Sequence, residues 1–383
     1  MKIDHAYLTG TLQDLIRINS INPMLVPGSP GEAEIADYVA SGLRKLDLEV
    51  KLCQAQPGRV SVIGRLPGKG QGRSLMLNAH LDTVGVEGMA SPFAAEVRDG
   101  KMYGRGAYDM KGSLAACLTA LKALVEADIA LNGDVVLAAV ADEEHASLGT
   151  VEVIEQIKVD AAIVTEATEL QLCLAHKGFV WLEVETFGRA AHGSRFAEGI
   201  DANMRMGRFL ARLERLEHDL RGRAGHALVG PPSLHAAMLQ GGSGLSTYAA
   251  NCKLFIERRT IPGETEAQVL REIQTILTHL TAEDPKYRAT AKSILARAPF
   301  EVSPQADLVK ILAETATPIL GKRPQHIGQS FWMDSALLSA AGIETVVIGP
   351  VGAGAHAAVE WVDLKSLAVL ADILAKTAVA YCG

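Results

Sequence analysis

The sequence predicts an α/β protein: a mixed, largely parallel sheet covered by helices, with a smaller two-layer α+β domain inserted into it. Three observations carry that expectation. Apolar runs of strand length recur at 60–63, 75–77, 135–140, 161–164 and 345–348, and helical periodicity separates several of them. The stretch from 177 to 295 changes to alternating strands and long amphipathic helices. At 383 residues the chain also exceeds the size at which a single core usually keeps growing.

Residues 7–19 alternate at helical spacing and lose the pattern at Asn22-Pro23. The period returns over 31–46, with Ile35, Val39, Leu43 and Leu46 on one stripe. Helices are expected again at 113–125 and 150–157. Strands alternating with helices imply parallel pairing with both sheet faces covered. In such sheets the chemistry lies beyond the carboxyl ends of the strands.

Within the insertion, 179–187 alternates like a half-exposed antiparallel strand and 203–220 is an arginine-rich amphipathic helix. Strands at 234–239 and 251–259 and a helix at 266–281 complete a two-layer unit. The chain then returns through a helix at 305–316, a helical stretch from Asp334, a strand at 345–348 and a closing helix at 364–380. The expected domains are therefore 1–176 with 296–383, and 177–295.

Composition narrows the function. Apolar residues make up 48% and charged residues 21%, as in an ordinary globular protein. A formal charge of -7 without a basic face excludes a nucleic-acid partner. The five cysteines (53, 117, 173, 252 and 382) are scattered without CxxC spacing, which suits reduced thiols in the cytoplasm. Met1-Lys2-Ile3-Asp4-His5 carries no signal segment and no run reaches membrane length, so no membrane partner is expected.

Chemistry-bearing residues follow the apolar runs. His80 and Asp82 lie two apart at the end of one strand, where they share a side, and a carboxylate beside an imidazole makes a fixed metal ligand. The glycine-rich segment 103–112 opens a helix, but its spacing fits neither phosphate-binding fingerprint. Its Asp109 either caps that helix or bridges two cations. Asp142-Glu143-Glu144 follows a buried strand, so one carboxylate can bind a metal while its neighbour carries protons. Glu166 is a further acid at a strand end, and His356 follows the last strand and a glycine-rich loop.

In this order the motifs resemble the dinuclear zinc amidohydrolases of the M20 metallopeptidase family, whose fold is zinc exopeptidase-like. The likeness runs through His-Leu-Asp-Thr-Val at 80–84, Gly-Arg-Gly-Ala-Tyr-Asp-Met-Lys-Gly at 104–112, Asp-Glu-Glu at 142–144, Glu166 and His356. It continues in 188–194, 199–202, Gly241-Gly242 and 259–263. The resemblance implies two zinc ions per subunit, with cobalt or manganese as substitutes. His80, Asp109 and Glu166 would hold one ion; Asp109, Glu144 and His356 would hold the other. Asp82 would orient His80, and Glu143 would be the general base. His192 would reach from a partner subunit to the oxyanion, which implies a homodimer built through the inserted lid domain. Arg259 would grip the substrate carboxylate, with Ser246 and Gly354 contacting substrate.

The implied reaction is hydrolysis of an N-acyl amino acid, as in acetylornithine deacetylase, or else removal of a residue from a small peptide by a carboxypeptidase or dipeptidase. A metal-binding but inactive scaffold is the rival from another class, and Glu143 counts against it. Gly85, Tyr108, Ser246 and Val359 depart from the common family pattern. None of them is a ligand.

Overall fold

The computed structural model describes residues 1–383, residue 55 by its backbone alone. The chain divides into two compact units. Met1–Leu174, Val302–Ile327 and Met333–Gly383 form the first; Ala175–Glu301 and Gly328–Trp332 form the second.

The first unit is built on the expected mixed sheet. Its strands lie in the order Glu49–Gln56, Arg59–Leu66, Val135–Val140, Leu75–His80, Ala161–Val164, Glu344–Val347 and Leu172–His176. The centre is parallel: Leu75–His80 pairs in parallel with Val135–Val140 and with Ala161–Val164, which pairs in parallel with Glu344–Val347. Every residue of the first three of these strands is buried, which requires cover on both faces. That cover includes the almost wholly buried helix Gly112–Glu126, packed on Leu364–Cys382 and His5–Arg17. Ala33–Lys45 packs on the two strands at the antiparallel edge.

Register decides where the functional side chains go. His80 lies opposite Val140, and Asn78 lies opposite Val164. Three parallel strands therefore stop at nearly the same level, and the next residues of each leave on the same side. Those residues are His80 to Asp82, Asp142 to Glu144, and Glu166.

The second unit is a four-stranded antiparallel sheet in the order Ser233–Gly241, Asn251–Thr260, Gly178–Phe187 and Ala289–Arg297. Along Gly178–Phe187 alternate residues Val180, Leu182 and Val184 are buried, as the sequence pattern requires. They meet Phe209 and Leu213 of Ala202–Gly222, and Val269 and Ile273 of Glu266–Glu283, in one core. Asp201 caps the first of these helices, and a Thr265–Gln268 capping box starts the second.

Several elements escape the sequence pattern. Glu49–Gln56 is an edge strand with polar side chains and an exposed Leu52. Ala289–Arg297 alternates, but mostly with small residues that leave no strong signal. A small sheet joins Gly352–Ala353, Trp361–Asp363, Lys101–Tyr103 and Glu96–Arg98, in pieces of two or three residues.

Candidate metal centre

His80 is fully buried, and its Nδ1 lies 2.9 Å from the main-chain carbonyl of Asp82. The carbonyl has only lone pairs, so Nδ1 carries a proton, and Nε2 is left to face the carboxylates, where it can offer a lone pair to a cation once its own proton is lost. Asp82, expected to orient His80, meets the ring through its main-chain carbonyl, while its carboxylate stands 3.7 Å from Nδ1. That carboxylate instead accepts the amides of Glu143 at 3.1 Å and Glu144 at 3.2 Å. It positions the loop of the expected base.

His80 Nε2 faces Asp109 Oδ1 at 3.0 Å and Glu166 Oε1 at 3.5 Å. His356 Nε2 faces the other oxygen of Asp109 at 3.3 Å and Glu144 Oε2 at 3.0 Å. Two triads result, His80-Asp109-Glu166 and Asp109-Glu144-His356, each with ligand atoms within 4.8 Å of one another. Asp109 belongs to both. All five residues expected as ligands thus come together, from four separate strand ends and the loop before Gly112–Glu126.

Behind them lies a buried polar network that the sequence did not announce. Asn22 donates one amide proton to Asp82 at 2.8 Å and the other to Asp142 at 3.0 Å, keeping two like charges bridged. Arg59 donates to Glu32 at 2.8 and 2.6 Å and to Asp142 at 2.7 Å. The unassigned acid of the Asp-Glu-Glu run is therefore structural. Its only sequence signal was a charged residue, Arg59, set directly against an apolar run. Asp334 is also buried, and Thr150 donates to one of its oxygens.

The remaining candidates sit elsewhere. Gly354 occupies a left-handed turn two residues before His356. His192, Ser246 and Arg259 belong to the second unit. His192 and Ser246 lie in adjacent exposed loops, joined by Gly193 donating to the Ser246 carbonyl at 2.7 Å. Arg259 pairs with Glu257 and covers the Phe179 ring at 5.5 Å, whereas Arg258 is buried against Glu264 and Glu272.

Electrostatics mark the cluster as built for cations. Burial, then Glu166, pushes the Glu143 carboxyl well above its usual range. Burial and Asp109 raise Glu144 to about 7 and Glu166 to about 8. Hydrogen bonds to Asp109 and Glu144 raise His356 to about 10. Burial also raises Asp109, but hydrogen bonds from His356 and His80 outweigh it and hold this carboxyl well below its ordinary value. So many acids in one dry pocket need positive charge. Among the described residues Glu144 Oε1 is buried without a hydrogen-bond partner, a further lone pair free to meet a cation. Imidazole and carboxylate donors in two sets sharing one bridge fit a pair of divalent cations.

The model of peptidase family M20/M25/M40 matches residues 76–380. The chain belongs to this family. As a member it hydrolyses amide or peptide bonds. It is 28% identical to acetylornithine deacetylase of Myxococcus xanthus over 387 residues, covering 98% of each chain. It is also 28% identical to N-formyl-4-amino-5-aminomethyl-2-methylpyrimidine deformylase of Halalkalibacterium halodurans over 360 residues, 86% of this chain and 84% of the relative. Its fold is that of a dinuclear metal binding peptidase of family M20 from Bacillus subtilis, with a TM-score of 0.74, 18% identity, and coverage of 99% of this chain and 98% of the other.

Two outcomes are expected. Arg59→Ala strands Glu32 and Asp142 without a counter-charge and should cost about 3–5 kcal/mol, read as a lowered urea midpoint. Because raised groups in the cluster hold protons at neutral pH, cations must displace them. Zinc affinity measured by calorimetry should fall as pH is lowered through the range of Glu166 and Glu144, with protons released on binding; a pH-independent affinity contradicts this.

Proposed function

We propose that the protein is a two-metal amidohydrolase that removes the acyl group from an N-acyl amino acid. The observation that supports this most directly is the Asp109 carboxylate shared by two ligand triads, with Glu143 on the adjoining loop. His80, Asp109 and Glu166 would hold one zinc, and Asp109, Glu144 and His356 the other; cobalt or manganese has the same ligand preferences. When bound, such a pair lowers the pKa of water and polarises a carbonyl.

The chain's own groups then do the rest. Glu143, held at its amide by Asp82, accepts a proton from the attacking water as its oxygen adds to the acyl carbon. The carbon–nitrogen bond breaks as Glu143 passes that proton to the departing amine. The raised affinity of Glu143 for a proton suits this shuttle. His192 of a partner subunit donates to the oxygen that becomes negative in the tetrahedral intermediate. Arg259 pairs with the substrate carboxylate, and Ser246 and Gly354 complete the contacts.

A homodimer through the second unit is supported by the apolar side chains that this unit leaves exposed, including Phe196, Met204, Leu239 and Leu245. Cytoplasmic residence is supported by five buried free thiols. Among the described residues no helix is long and apolar enough to cross a membrane. A peptidase reading of the same site has its own support in the family and in the Bacillus subtilis peptidase that shares the fold.

A panel of N-acetyl, N-formyl and N-succinyl amino acids and dipeptides, assayed with zinc and with cobalt, decides between deacylation and peptide cleavage. Glu143→Ala should retain both metals and lose turnover by roughly 100- to 10,000-fold; normal turnover rejects the base. His192→Ala should likewise be nearly inactive. Mixing these two inactive variants should restore activity, because one composite site in the mixed dimer is intact. No recovery on subunit exchange rejects the role of His192 across the interface.

A further inference from the structure

One buried carboxylate beside the centre has no place in the mechanism above. Glu360 is 1% exposed, four residues after His356, and lies directly before Trp361–Asp363. That strand pairs antiparallel with Lys101–Tyr103, Trp361 opposite Tyr103, which turns Glu360 towards the loop leading to Asp109. Glu360 Oε1 accepts the amides of Tyr108 at 2.9 Å and of Asp109 itself at 3.0 Å. Its Oε2 accepts Gly106 at 3.0 Å and Arg105 Nη1 at 2.7 Å. Four donors fill the acceptor capacity of a carboxylate.

Backbone geometry makes these bonds necessary. Asp109 (φ -122°, ψ 91°) and Met110 (φ -134°, ψ 34°) are not helical, although a helix follows. The amides of Tyr108 and Asp109, in the loop that carries the bridge, have the Glu360 carboxylate as acceptor. An amide shut off from water and left without an acceptor is costly, so the bonds to Glu360 hold this loop in its present conformation. The other half of the pair reaches further. Arg105 Nε donates to the Gly85 carbonyl at 2.8 Å and Nη2 donates to that of Ala357 at 3.2 Å. Three segments, those carrying His80, Asp109 and His356, are therefore tied to one buried ion pair.

We propose that Glu360 and Arg105 are positioning residues that set the distance between Asp109 and His356 and thereby the affinity of the cation position those two share with Glu144. This rests on the metal reading of the triads, not on the identity of the substrate. A planar guanidinium suits the task, because its fork holds three acceptors in fixed directions where an ammonium would swivel.

Metal-free protein titrated with zinc by calorimetry tests the proposal. Wild type should take up two ions. Glu360→Gln turns an amide on to Arg105 and Gly106, and should weaken one of the two binding events by about 10- to 100-fold, the usual effect of losing a partner behind the ligands. Glu360→Asp keeps the charge but withdraws it from the Tyr108 and Asp109 amides, and should act likewise; Arg105→Lys should give a smaller loss. In assays kcat should fall with KM nearly unchanged. Native affinity for both ions in folded Glu360→Asp or Glu360→Gln overturns the proposal, including when only the unfolding midpoint drops. Should neither variant fold, hydrogen exchange of metal-free wild type decides: slow exchange at Tyr108 and Asp109 is expected, and fast exchange overturns the clamp. If wild type binds two ions yet cleaves no acyl amino acid or peptide, the functional reading fails while the affinity result stands.

Discussion

Asp109 presents one oxygen to His80 and the other to His356, so the spacing of the two triads is set by the width of a single carboxylate. That sharing constrains everything around it. Side chains more than 270 positions apart in sequence must converge on two atoms, and a shift of one loop breaks both triads at once. The parallel register of the central strands delivers His80, Glu144 and Glu166 at a common level. The loop of Asp109 and the loop of His356 are not strands of that register, and they are fixed instead by hydrogen bonds to Glu360 and Arg105.

Concentrating acids in a dry pocket is unfavourable unless the chain supplies counter-charge. Here it does so outside the ligand sets. Arg59 answers Glu32 and Asp142, Arg105 answers Glu360, and Asn22 separates Asp82 from Asp142 with two neutral donors. Lys111 is likewise buried; desolvation lowers its pKa to about 7, and its Nζ donates to the Ile18 carbonyl at 2.8 Å. The basic side chains that touch the candidate ligand oxygens are the imidazoles of His80 and His356. The negative charge facing the pocket is left for cations to neutralise.

How much of this was legible in the sequence depends on range. His80, Glu144 and Glu166 stood out as candidates because each follows a short apolar run, His356 because it follows the last strand and a glycine-rich loop, and Asp109 because its loop opens a helix. The inserted unit was visible in the alternation of 179–187 and in its two helices, but Ala289–Arg297 was not, since alanine and serine leave little apolar contrast. Asp82 shows the limit of spacing arguments. Two positions along a strand put it beside His80, yet nothing in the pattern says whether carbonyl or carboxylate makes the contact. Nothing in the local pattern marks Glu360, because its four donors lie more than 250 residues earlier.

The order of apolar runs pointed to the fold class, and the motifs after them, through their family resemblance, implied the candidate ligands and the hydrolytic class, because periodicity, spacing and side-chain type are properties of the chain itself. Tertiary structure alone decided which acids face the pocket, which are neutralised behind it, and how Asp109 is held. Those outcomes depend on distances between segments remote in sequence, and hydrogen bonds of about 3 Å cannot be inferred from patterns that repeat every two or four residues.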